Sequence, residues 1–184
     1  HVAALRRFGI AATAPMFVPG LGAFVRLRQS VHTAAEDARV GLAGPLWGLG
    51  ASLTAYGLYL ATGSPVIAAV TKFSAWLNLF NLLPVWQLDG GRGLRALSRP
   101  QRWALAAAIA LAWWMTRERL LPLLLIVTAG QAFGSQAPEE ADAPVLIQYA
   151  GLVLSLAVLT TVAVPAAGRS SVPMAAVSRA GARL

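Results

Sequence analysis

The residue types able to do chemistry gather in one short stretch, Asn81-Leu82-Leu83-Pro84-Val85-Trp86-Gln87-Leu88-Asp89-Gly90-Gly91, directly after an apolar run. Pro84 lacks a backbone donor and breaks or kinks a helix, while Gly90 and Gly91 permit close approach or unusual dihedrals. Broken backbone at membrane depth is tolerated only when it is buried in protein or lines a wet cavity, and Asp89 sits beside this break. A carboxylate there calls for a cation, and a metal ion is the economical answer. The other reading is a helix end at the membrane interface, with Asp89 solvated or paired with Arg92. The residues by themselves leave both open.

Ligands for a metal are scarce. The chain has no cysteine, only two histidines and seven acidic residues, so thiolate sites and disulfides are excluded and any ion must be held by His, Asp, Glu or Asn. His1 is a lone terminal histidine, and His32 lies in a polar segment and reads as solvated. Lys72, inside an apolar run, is expected to snorkel or to pair with an acid elsewhere in the bundle, without a catalytic role.

The elements that must position these groups are membrane helices. The 184 residues are 57% hydrophobic and 12% charged, with a mean hydropathy of +0.63; a soluble domain carries about 25% charged residues, so lipid is expected to be the solvent for much of the surface. The net charge of +8 forms no compact stripe with interleaved aromatics, which speaks against nucleic acid. The pattern predicts an all-α polytopic membrane protein with four or five membrane-embedded helices: Val40–Thr62, Val66–Leu83, a hairpin of shorter runs at Trp103–Met115 and Leu120–Phe133, and Val145–Val164. Gly44, Gly48, Ala51 and Ser52 give the first a small-residue face. Residues 1–9 read as a helix end, and residues 14–29, interrupted by Pro15, Pro19, Gly20 and Gly22, as a β-hairpin-like segment whose Ala23–Arg28 run alternates apolar and basic. A basic loop over 92–102, an acidic loop over 138–144 and a flexible basic tail over 166–184 complete the reading. The arginines of residues 1–40 and 92–102 are expected on one, cytoplasmic, side. Arg117, Arg119 and the basic tail run against that orientation. Arginine-rich, alanine-rich usage points to a bacterial cell membrane.

The Asn81–Gly91 stretch resembles the Asn-x-x-Pro-x-x-x-Leu-Asp-Gly-Gly signature of the site-2 proteases, the intramembrane zinc metalloproteases, with Asn81, Pro84, Leu88, Asp89, Gly90 and Gly91 at its fixed positions. Residues 1–9 resemble the segment immediately after the His-Glu-x-x-His helix of that family. Glu36-Asp37-Ala38-Arg39-Val40-Gly41-Leu42-Ala43-Gly44-Pro45 is similar to its acidic-Ala-Arg-x-Gly-x-Ala-Gly-Pro entry to the next span. The three occur in the family's order and cover most of residues 1–95.

The resemblance implies a metalloendopeptidase domain over residues 1–165, holding Zn2+ between His1, as second histidine of the His-Glu-x-x-His helix, and Asp89, as third protein ligand. Zinc would lower the pKa of its water to about 7, Asn81 would bind substrate backbone or the developing oxyanion, and the Ala23–Arg28 strand would pair with an unwound substrate segment. The implied partner is a transmembrane protein substrate such as a membrane-anchored regulator. The first zinc histidine and the general-base Glu are absent from the chain, which is therefore expected to lack N-terminal helices of its parent and to be inactive alone. A transporter or channel would also use broken helices, but the chain carries no second copy of the Asn81–Gly91 pattern. A non-catalytic scaffold would leave the clustering of Asn81, Pro84 and Asp89 without a purpose.

Overall fold

The computed structural model describes residues 16–18, 22–24, 33–85, 88–134 and 137–165. Among them the chain is all-α apart from one small hairpin: Met16–Val18 (β1) pairs antiparallel with Gly22–Phe24 (β2), Phe17 opposite Ala23. This lies within the hairpin-like segment expected over 14–29; residues 25–28 of its second run are outside the described residues, as are residues 1–15 and the tail after 165.

Six helices come after it: α1 Ala34–Thr62, α2 Pro65–Asn81, α3 Asp89–Arg95, α4 Arg99–Thr116, α5 Leu121–Phe133 and α6 Ala143–Thr160. Their ends arise from local chemistry. Thr33 caps α1 by accepting the Glu36 amide at 3.1 Å, and Gly63, with φ of 65°, closes it in the left-handed region that glycine adopts without penalty. Glu36 and Asp37, expected as a polar entry, are therefore already first-turn residues, where carboxylates complement the helix dipole. Ser98 and Gln101 form a reciprocal capping box that starts α4 four residues ahead of the expected Trp103. Asp142 caps α6, accepting the Val145 amide at 3.0 Å, with Pro144 in the first turn. The expected basic loop is divided between α3 and the first turn of α4.

Side-chain bonds gather the chain's polar groups at one end of the bundle. Arg95 Nη2 reaches Asp37 Oδ2 at 2.9 Å, Arg102 Nη1 reaches the Gln131 carbonyl at 2.9 Å, and Gln101 Oε1 accepts the Asp142 amide at 3.1 Å. Among the described residues, Asp37, Arg95, Gln101, Arg102, Gln131 and Asp142 are thus tied together at one end of the bundle. The core is aliphatic: Leu42, Leu79, Leu82, Leu94, Leu97, Leu105, Ile109, Leu121, Leu124, Leu152 and Leu156 are all inaccessible or nearly so, with the fully buried Tyr149 packed among them.

Among the described residues one helix, α6, is long and apolar enough to cross a membrane by length and composition, and α5 is a shorter apolar helix. The other expected spans are helices, but they do not reach that measure. In α2 the buried face consists of Ala68, Thr71, Ala75 and Leu79, while Val66 (71% exposed), Val70, Phe73 (64%), Trp76, Leu77 and Phe80 point outward. Lys72 is exposed on the same helix. Small side chains inside let α1 and α2 approach closely. Ser52 Oγ donates to the Gly48 carbonyl at 2.8 Å and lies 2.9 Å from Ser74 Oγ across the seam, and a Cβ at Gly48 would overlap the Asn78 amide.

Candidate functional site

The break between α2 and α3 is closed on itself. The last turn of α2 frays into shorter bonds, Leu82 N to Leu79 O at 3.1 Å and Leu83 N to Phe80 O at 3.0 Å. Pro84 then ends it, having no amide with which to continue. The chain returns so tightly that a Cβ on Gly90 would sit 1.9 Å from the Leu82 carbonyl oxygen. Only glycine permits that approach. Asn81 and Asp89 each immediately precede one of the two residues that meet, so the turn carries them to its two sides. Asn81 is the last residue of α2 and half-buried; Asp89 is the first of α3 and also half-buried.

The carbonyls from Leu82 to Val85 each have a donor, as buried backbone requires. Leu82 accepts from the hydroxyl of Tyr149 on α6. Leu83 accepts the Val85 amide at 2.9 Å, and Val85 accepts the Leu88 amide at 3.1 Å. Pro84 accepts from Gln131 Nε2 on α5 at 2.7 Å. Gln131 is in turn fixed through its own carbonyl by Arg102, whose Nε also donates to Leu97 O at 3.0 Å.

Helix α3 is wedged between α1 and α6. A Cβ on Gly93 would come within 3.0 Å of Leu42 and 3.1 Å of the Tyr149 ring, and one on Gly41 of α1 would meet Arg92 Cβ at 2.8 Å and the Asp89 carbonyl at 3.2 Å. Arg92 does not turn back to Asp89. Its Nε donates to Asp37 Oδ1 at 2.9 Å, and Arg95 takes the other oxygen. Burial raises the Asp37 pKa, but the two guanidiniums outweigh it and hold the carboxyl below its usual value. At Asp89 burial dominates and pushes the pKa up to about 6, against the opposing pull of the Arg92 charge.

Of the expected site residues, the structure brings Asn81 and Asp89 to one turn. His1 and His32 lie outside the described residues, and among the described residues no group of three His, Cys, Asp or Glu could hold a metal ion. The described donor set is thus one half-buried carboxylate, Asp89, which fits a zinc centre only together with nitrogen ligands from outside these residues. Tyr149 and Gln131 were not singled out by sequence reasoning. The signal was present: both are polar side chains inside otherwise apolar runs, Leu120–Phe133 and Val145–Val164.

Set against known proteins, the chain matches no protein family, no curated sequence and no solved structure.

Proposed function

We propose that this chain is the membrane-embedded part of a zinc-dependent intramembrane protease, with Asp89 as the carboxylate ligand and Asn81 as the residue that binds substrate backbone. The observation that carries this reading is the closed break at Leu82–Gly90: a turn that no straight span would need, with each carbonyl from Leu82 to Val85 bonded and a carboxylate at its exit. Irregular backbone of this kind among apolar helices marks ligand or ion sites. The multi-pass membrane setting is part of the same proposal. It is supported by α2, where Val66, Val70, Phe73, Trp76, Leu77 and Phe80 face outward while Ala68, Thr71, Ala75 and a single leucine, Leu79, face the bundle, unlike a helix packed in water.

Zinc, when bound, supplies an activated water and polarises the scissile carbonyl. Asp89 contributes an anionic oxygen donor on rigidly packed backbone. Asn81, with both a donor and an acceptor at its amide, is suited to holding an extended substrate strand. His1 would complete the set together with a His-Glu-x-x segment ahead of it, whose glutamate would serve as the base. The substrate class is a transmembrane segment that unwinds locally, because helical peptide bonds are shielded from attack.

The test uses protein that carries the His-Glu-x-x segment ahead of His1. There Asp89→Ala abolishes both bound zinc and cleavage of a transmembrane substrate. Retention of both would remove Asp89 from the site. The transporter reading gains nothing from the sequence, since the Asn81–Gly91 pattern has no counterpart elsewhere in the chain.

A further inference from the structure

Two side chains from distant elements hold the break, and we infer that Tyr149 and Gln131 are positioning residues for Asp89; their relevance to metal binding rests on the reading of the site given above. A helix interrupted by proline leaves carbonyls that would otherwise accept from the next turn. In a membrane those groups cannot fall back on water. Tyr149 takes the carbonyl of Leu82 and Gln131 that of Pro84. The two bonds pin the break from α6 and α5, on either side of Pro84.

Tyr149 does more than donate one bond. Its hydroxyl would lie 2.5 Å from a Cβ on Gly90, and its ring edge 3.1 Å from one on Gly93. The phenol therefore runs along the glycine face of α3, one residue beyond Asp89, and sets how deeply that helix seats. Gln131 is different in kind. It is exposed as a residue, so replacing it opens no cavity, and what its side chain supplies is the bond to Pro84. Arg102 completes the relay by holding the Gln131 carbonyl at 2.9 Å. Groups that orient a metal ligand from behind typically change metal affinity about 10–100-fold when removed.

The experiment compares wild-type, Tyr149→Phe and Gln131→Leu protein, each carrying the His-Glu-x-x segment, in detergent micelles. Amide hydrogen exchange is read first, without metal. The expected result is at least about tenfold faster exchange at Leu88 and Gly91, whose amides bond within the break, with α1 and α2 amides within about twofold. Unchanged exchange in the break, or equal acceleration everywhere, would overturn the inference. Gln131→Leu keeps the test decisive should Tyr149→Phe fail to fold. Cobalt(II) titration comes second: a rise in Kd of about tenfold or more, with an altered visible spectrum, supports positioning. Equal affinity and spectrum in all three proteins would overturn it. Wild-type protein that takes up no cobalt would sink the metal reading instead, leaving exchange to decide whether these two side chains hold the break.

Discussion

The helical backbone is interrupted after Asn81, where α2 ends, and at 117–120, between α4 and α5, and the two interruptions are satisfied from opposite sources. The second is local. Thr116 Oγ1 bonds the Ala112 carbonyl at 2.7 Å, the Arg117 amide bonds Trp113 O at 2.8 Å, and the Leu121 amide bonds Glu118 O at 3.3 Å. Arg117 adopts a left-handed φ of 56° and lays its guanidinium over Trp114 at 4.8 Å. The first interruption recruits partners from far along the chain, Gln131 at a separation of 47 residues and Tyr149 at 67. A local turn can be edited without consulting the core. A turn bonded from two other helices cannot, and that is the turn bearing Asn81 and Asp89.

The comparison is broken most directly at Gly90. Gly90→Ala drives a methyl into the Leu82 carbonyl, where neither side is a flexible side-chain end, and is expected to cost more than about 4 kcal/mol. A melting temperature in detergent within a few degrees of wild type would show that the turn yields. Tyr149→Phe, which leaves the Leu82 carbonyl buried without its donor, is expected to cost about 1–3 kcal/mol by the same measurement. Asp37→Asn sharpens the picture, because it weakens the link from α3 to α1 while sparing the break. The pair is partly exposed, so the loss is expected near about 1 kcal/mol. Its pH dependence has a definite sign. The Asp37 pKa is lowered in the folded state, so the contribution is fully present above the ordinary value of 3.8 and disappears as pH falls through the lower folded value. The stability gap between wild type and Asp37→Asn should therefore be constant above about pH 4 and shrink as the pH falls below it. The smallest effect is expected at the local turn: Arg117→Gly relieves the left-handed backbone, loses the contact with Trp114, and gains less than about 1 kcal/mol. A loss of stability of about 1 kcal/mol or more would instead mean that the α4–α5 turn is not local after all.

Much of the fold was legible in the residues. The apolar runs located five of the six helices, and Pro84 marked a real end, because proline acts through the local backbone alone. Boundaries drifted where a side chain extends the helix past its apolar run, as Thr33, Ser98 and Asp142 do. Helix α3 was missed for a different reason: Asp-Gly-Gly-Arg-Gly-Leu-Arg is poor helix material, and it is helical because α1 and α6 clamp its glycine face. Asn81 and Asp89 were found from their types and their neighbourhood to Pro84. The destination of Arg92 was not, since nothing nearby in sequence distinguishes Asp89 from Asp37 as its acceptor. Gln131 and Tyr149 escaped because a bond across 47 or 67 residues leaves no spacing to read.

The seam between α1 and α2 has a consequence in time. Gly48, Ser52, Ser74 and Asn78 all belong to the first helical hairpin, so that hairpin possesses both halves of its contact as soon as it has been made. The carbonyl of Leu82 must wait for Tyr149, 67 residues later, which at ordinary synthesis speeds is roughly 3–13 s. Throughout that interval the Leu82 carbonyl lacks its native donor beside a hairpin whose own seam is already complete, and α6 supplies that donor last, after Gln131 of α5 has become available to Pro84.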